Sequence, residues 1–313
     1  MYAKESFSAE INKIMCDLAF PKEAIEALLK DADALLSYAD ACEKFFDIVS
    51  QYDGRTDIDY PAALELMKEL SASTGVNVYA LNMLHFLSLC PRLRERYKER
   101  GLPDKLFVDT MSDLRFKVYE CQAVHGVWGT FVGFWFARYF SQIDRFFFKR
   151  LQLEPKPLEY DCTIDGKEYK KGAKVLNVHI PRTGTPLLHD EVIESYREAV
   201  EFFKDYYEGE PRLIVCNSWL LSPWHDEIMR PGSNILQFAH DYTILHSAPN
   251  SNVASLWAVF EHVVTEDNFD ELPTDTSLRR AYADLLKRGG RQEWTYGVFN
   301  YDDKIKEWVK NNA

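Results

Sequence analysis

Lys174–Trp219, KVLNVHIPRTGTPLLHDEVIESYREAVEFFKDYYEGEPRLIVCNSW, is the stretch that decides the fold. Val175–Ile180 reads as a strand, because its aliphatic residues are largely β-branched and Pro181 stops it. Arg182-Thr183-Gly184-Thr185-Pro186 is a turn rich in hydroxyls. From Leu188 to Tyr207 apolar residues fall at Val192, Tyr196, Ala199, Phe203 and Tyr206, which is helical spacing. Arg212–Trp219 is then a second strand. Two strands joined by a helical crossover of this length lie parallel in one sheet. Ligands of such units bind beyond the C-terminal strand ends, beside the turn and the following helix N-terminus.

The chain has 313 residues, 46% hydrophobic and 14% aromatic, enough for a large core in two domains or one elaborate one. A formal net charge of −12 argues against nucleic acid or an anionic membrane as a partner. Met1–Glu5 leads straight into a polar helix, so a cytoplasmic protein is expected. Cys16, Cys42, Cys90, Cys121, Cys162 and Cys216 are spread singly, which fits reduced thiols rather than a disulfide scaffold or zinc ribbon. Cys121–Ala137 carries no formal charge, but it is short for a membrane span and holds three glycines. It reads as a buried aromatic-rich helix.

Elsewhere the first 130 or so residues read as helical. Pro61 suits a first helical turn, Gly75 breaks a helix, and Val78–Leu89 is an apolar helix. Pro91 either ends that helix or begins Arg92–Glu99, and Lys105–Tyr119 follows the turn at Gly101–Asp104. The pattern changes near Arg145. Phe146–Leu153 reads as one strand ending at Pro155, and Asp165-Gly166 is a hairpin turn between Leu158–Ile164 and Glu168–Lys171. After Trp219 come short helical turns at Trp224–Met229 and Asn234–His240, candidate strands at Asp241–His246 and Asn252–Val259, and helices at Ser277–Lys287 and Lys304–Lys310. Helices first and strands later predict an α+β chain, with domains at 1–135 and 136–313.

Several stretches carry a family resemblance: Pro91–Tyr97 with Gly101-Leu102-Pro103 and Asp109–Asp113; His125–Gly129 with Phe134-Trp135; Arg150–Glu154; and His179-Ile180-Pro181, Cys216–Pro223 and Ser233-Asn234-Ile235. Together they resemble a bacterial family that joins a helical N-acyltransferase N-terminal domain to a GNAT-like C-terminal domain. The resemblance implies an all-helical domain packed on a mixed αβ domain, with acyl-CoA held between two splayed parallel strands. It further implies transfer of the acyl group to an amine acceptor entering near the helical domain, with no metal. One departure is plain. The GNAT phosphate turn reads Q/R-x-x-G-x-G/A, whereas Pro181–Pro186 has one glycine, so fewer backbone amides can approach a phosphate.

On this footing Arg182, Thr183, Gly184 and Thr185 form a candidate anion cradle, its competing reading being a turn in which Thr185 or Asp190 caps the helix. Asn217 and Ser218 are candidates for contact with the acyl carbonyl or pantetheine, or they simply end the strand. His179, a polar ring closing an aliphatic strand, is the candidate general base. Cys216 activated by His179 would make a thiol acyl-enzyme hydrolase or transferase, against inert packing. Tyr242 is the candidate acid for the departing thiolate, against a buried aromatic. A GNAT-shaped module that binds acyl-CoA without turnover is the remaining alternative. His225-Asp226-Glu227 and His240-Asp241 match no metal-ligand spacing and read as a solvated face. The run Arg92–Arg100 reads likewise, and Trp128, Phe131, Phe134, Trp135, Tyr139 and Phe140 read as core between the domains.

Overall fold

A computed structural model describes residues 6–54, 58–132, 137–164 and 166–311. The chain divides into two compact units, Met1–Phe146 and Phe147–Ala313.

The N-terminal unit contains α1 (Phe7–Asp17), α2 (Lys22–Leu36), α3 (Ala39–Ser50), α4 (Tyr60–Thr74), α5 (Val78–Glu99), α6 (Asp104–Met111), α7 (Asp113–His125) and α8 (Ala137–Ser141). Asp59 caps α4 by accepting the Ala62 N–H at 3.0 Å, Pro61 sits in its first turn, and Gly75 ends it at φ +77°. Helix α5 runs unbroken through Pro91. A proline inside a helix costs about 3 kcal/mol, but Ala80–Cys90 is buried on every side against neighbouring helices, and tertiary packing overrides the local preference. The predicted helix over Lys105–Tyr119 is two helices, parted at Ser112.

Nor is Cys121–Ala137 a single helix. Gly126 takes a left-handed conformation and closes α7, while Phe134 and Trp135 lie outside the described residues. Tyr139 and Phe140 are buried within this unit. The basic run is tied down rather than merely solvated: Arg92 pairs with Glu95, Arg94 with Asp17 and Asp104, and Arg96 with Glu99.

The C-terminal unit is organised around a six-stranded sheet of order β1-β2-β5-β6-β8-β7, with β1 (Phe146–Phe148), β2 (Leu151–Pro157), β5 (Lys174–His179), β6 (Leu213–Ser218), β7 (Thr243–Pro249) and β8 (Glu293–Asn300). The expected strand at Phe146–Leu153 is thus split, Lys149 turning the chain at φ +51°. Strands β3 (Cys162–Ile164) and β4 (Lys167–Tyr169) form the expected hairpin, with Gly166 at φ +77°; its other turn residue, Asp165, lies outside the described residues. Helix α9 (His189–Phe202) connects β5 to β6, and these two strands run parallel. The pairs β2–β5, β6–β8 and β7–β8 run antiparallel.

Short helices α10 (His225–Ile228), α11 (Asn234–Ala239) and α12 (Trp257–Phe260) follow β6 and β7, and α13 (Ser277–Lys287) and α14 (Tyr301–Asn311) flank β8. The strand expected at Asn252–Val259 is replaced by helical turns over Val253–Leu256 and Trp257–Phe260. Asn252 caps the first turn there by accepting the Ala254 N–H, and this local bond competes with extension.

Alternation along the strands sorts side chains onto two faces. Leu176, Val178, Ile214, Cys216, Gly297 and Phe299 share one face by register, and Tyr196 of α9 packs on Phe299 there. Val175, Leu213, Val215, Tyr296 and Val298 share the other, in a cluster with Ile164 and Tyr169 of the hairpin. A Cβ on Gly297 would lie 2.8 Å from Tyr242 Cβ and 3.0 Å from Leu221 Cδ1. Gly297→Val should therefore destabilise the protein by about 2–3 kcal/mol, read as a lower midpoint in guanidinium denaturation; an unchanged midpoint would contradict the packing.

Candidate functional site

The β5–β6 ladder runs Val175↔Leu213, Leu176↔Ile214, Asn177↔Val215 and Val178↔Cys216, and there it stops. Both strands continue, held from outside: β5 stays on β2 through Gln152↔His179, and β6 stays on β8 through Ser218↔Thr295. The parallel strands therefore part after Val178 and Cys216. Asn217 is exposed although it lies in an interior strand whose other residues are buried. Register places Asn217 on the face of Val215, and His179 on the face of Asn177 and Glu154, which is the same face.

His179 is tied to a fully buried carboxylate. Glu154 Oε1 receives His179 Nε2 at 2.8 Å, Asn177 Nδ2 at 3.2 Å and Lys156 Nζ at 3.1 Å. Asn177 and Lys156 donate to this oxygen and mark it as a carboxylate acceptor, and the tautomer with the proton on Nε2 lets His179 donate to it as well, with Asn177 Nδ2 3.0 Å from Nε2. A buried carboxylate that fixes imidazole tautomer and ring orientation is the arrangement a proton acceptor needs. Sequence reading passed over Glu154. In Leu151-Gln152-Leu153-Glu154 the polar residues alternate as on a solvated face, yet Gln152 and Glu154 are buried.

The other predicted groups divide. Ser218 and Cys216 point to the α9 face, away from His179, since Val178↔Cys216 register puts Cys216 opposite the next residue's side. Cys216 is wholly buried, and burial pushes its thiol up, away from thiolate formation. The Cys216/His179 nucleophile is therefore set aside. Ser218 Oγ accepts the Leu220 N–H at 3.2 Å and caps the turn that leaves the sheet. Tyr242 is no free acid: its hydroxyl bonds Tyr196 at 2.8 Å among Phe238 and Phe299, and burial holds its pKa well above the ordinary value.

The 181–186 turn is built by Arg150, which neither reading of the cradle anticipated. Its guanidinium donates to the carbonyls of Pro181 (2.9 Å), Thr185 (3.3 Å) and Pro186 (3.4 Å). Gly184 stands at φ +78°, a conformation that favours glycine. The Thr183 and Thr185 hydroxyls bond each other at 2.7 Å, and the Thr185 N–H donates to Thr183 Oγ1 at 3.3 Å. Neither Thr185 nor Asp190 caps α9, whose N-cap is Leu188. Arg182 pairs with Glu261, and its Nη1 is buried without an acceptor among the described residues, as an anion site would have it. Against an anion, the first turn of α9 carries Asp190 and Glu191.

The remaining histidines are also placed. His225 is buried rather than solvated, its Nε2 2.7 Å from the Tyr282 hydroxyl, while His240 pairs with exposed Asp226. The described residues hold no group of three or more His, Cys, Asp or Glu side chains arranged for a metal ion. No helix among them is long and apolar enough to cross a membrane.

Residues 9–142 match the N-acyltransferase N-terminal domain, and residues 146–299 match the GNAT-like C-terminal domain. The chain belongs to this two-domain acyltransferase family. Solved acyltransferase structures share its fold. One in complex with decanoyl-CoA and teicoplanin is 23% identical with TM-score 0.68, covering 94% of this chain and 88% of that one. A mutant in complex with octanoyl-CoA is 24% identical with TM-score 0.70, covering 93% and 88%. A third, with decanoyl-CoA, is 20% identical with TM-score 0.64, covering 93% and 99%. Among curated proteins no sequence match was found.

Two expectations follow from the site. Arg150→Met should remove a donor from each of three turn carbonyls and cost about 2–3 kcal/mol in chemical denaturation, with Arg150→Lys failing to restore it, because the carbonyls are reached by three separate guanidinium nitrogens whose spread a compact ammonium does not span. The second concerns His189, whose Nε2 lies 2.9 Å from buried Asp241 Oδ2, while Trp308 Nε1–H donates to Oδ1 at 3.3 Å. The Asp241 hydrogen bond outweighs burial and raises the His189 pKa. A raised folded-state value means stabilisation that is full below the unfolded pKa of about 6.5 and lost as pH climbs through the folded value. Urea denaturation between about pH 6 and pH 8.5 should show the wild type losing stability relative to His189→Gln; parallel profiles would contradict this.

Proposed function

We propose that this protein moves an acyl group from an acyl-CoA thioester to an amine, using the opening between β5 and β6. The observation that carries the reading is the end of the ladder at Val178↔Cys216, with His179 and Asn217 continuing on one face beyond it. An acyl thioester laid along that opening would find the Asn217 amide as a donor for its carbonyl oxygen, where negative charge grows on attack. With Nε2–H given to Glu154, the His179 lone pair lies on Nδ1, and that atom takes the proton of the attacking amine. The C–N bond forms, the C–S bond breaks, and the proton passes from His179 to the departing sulfur, returning the imidazole to neutrality. One residue thus serves in both directions, and Tyr242 is not needed.

Arg182 with the Thr183–Thr185 turn would hold the phosphates, Arg150 fixing the turn from beneath. The related structures in complex with octanoyl- and decanoyl-CoA make medium-chain thioesters the donors to test, and the one bound to teicoplanin favours a bulky amine-bearing acceptor. A reducing, cytoplasmic setting agrees with the six free cysteines. A second reading, a module that binds acyl-CoA without turnover, is favoured by the acidic first turn of α9 and the pairing of Arg182 with Glu261; it would give ligand-dependent thermal stabilisation with no release of thiol.

Free-thiol release from octanoyl-CoA, followed with a panel of amines, tests both. His179→Ala should lower kcat/KM by about 10²–10⁴ with little change in CoA affinity, and Asn217→Ala by about 10²–10³. Turnover that survives His179→Ala at the wild-type rate would remove the base assignment.

A further inference from the structure

We propose that Glu261 is an internal stand-in for a ligand phosphate, gripping Arg182 and Arg279 before acyl-CoA binds and giving way when a phosphate arrives. This rests on the acyl-CoA reading and adds Arg279 and Glu261 to the binding site. The Glu261 carboxylate spans two arginines: Oε1 takes Arg182 Nη2, and Oε2 takes Arg279 Nη2. Two guanidinium groups facing one small anion from separate segments form the clamp that a phosphate, with three oxygens and up to two charges, fills better than a carboxylate does.

Four details favour displacement over a fixed structural bridge. Arg182 meets one carboxylate partner among the described residues and keeps Nη1 buried without an acceptor, so its donors are only partly satisfied by Glu261. Arg279 is anchored independently, by both oxygens of Asp275 at 2.9 and 3.1 Å and by the Val259 carbonyl at 3.1 Å; it therefore stays in place when Glu261 swings out. Glu261 itself sits at φ +52°, ψ +36°, a left-handed conformation that a glutamate adopts at a cost. The Arg182 and Glu261 side chains are 35% and 38% exposed, so the ion pair is weak enough for a phosphate to break.

Calorimetric titration of CoA into the full-length protein tests the inference. Glu261→Gln and Glu261→Asn both remove the competing charge, and asparagine also suits the left-handed backbone, so one of the pair keeps the fold if the other loosens it. CoA should bind about two- to fivefold more tightly to both than to wild type, and the gain should vanish in an Arg182→Gln background. Equal or weaker CoA binding by both variants, with wild type binding normally, would overturn the stand-in and leave the acyl-CoA reading intact. A gain that persists without Arg182 would also overturn it, since a general charge effect then accounts for the change. Absence of CoA binding by wild type and variants alike would overturn both.

Discussion

The candidate site depends on where one set of backbone hydrogen bonds stops. Strands β5 and β6 are each secured along their outer edges by antiparallel partners that extend past the last parallel pair, so neither is free to close on the other. Pro181, which ends β5 and has no N–H to offer, fixes the parting from within the sequence. Beyond Val178↔Cys216 the two strands no longer pair with each other, although each keeps its antiparallel partner.

Alternation then decides which side chains serve that gap. A one-residue difference puts His179 and Asn217 on one face and Cys216 and Ser218 on the other, separating groups that look adjacent on paper. The aromatic assembly of Tyr196, Tyr242, Phe299 and Trp308 occupies the α9 face as core, while the polar set of Glu154, Asn177, Lys156 and His179 occupies the other. A fully buried carboxylate is expensive unless several donors share it. The donors gathered on it, Asn177 and Lys156 among them, make Glu154 tolerable, and its carboxylate holds the ring of His179.

The strand–helix–strand core and its parallel sense were legible because β-branched runs, a proline stop and a helical period all agree there. The helix boundaries at Pro61 and Gly75 were legible for similar local reasons. Strand β8 was not. Glu293–Asn300 alternates weakly, and Gly297 interrupts it for a reason visible only once Tyr242 is packed above it. Pro91 misled because the Ala80–Cys90 stretch ahead of it is buried on every side, and Asn252–Val259 because Val253 and Val259 suit a strand while the Asn252 cap favours a helical turn. In the site, His179 and Asn217 stood out as polar residues closing apolar strands. Glu154 and Arg150 could not be found that way: polar residues in an alternating strand look solvated, and what buries them comes from elsewhere in the chain.

The order of strands has a consequence for biosynthesis. The strand that fills the space between β6 and β7 is residues 293–300, after both of its neighbours in the chain. While the polypeptide emerges from the ribosome, β6 presents an open, apolar edge for the time needed to make some seventy-five further residues, several seconds at about 5–20 residues per second. Such an edge invites strand addition from another nascent copy. Chaperone engagement during synthesis, and poor recovery of any truncation lacking the last strand, are therefore built into the topology.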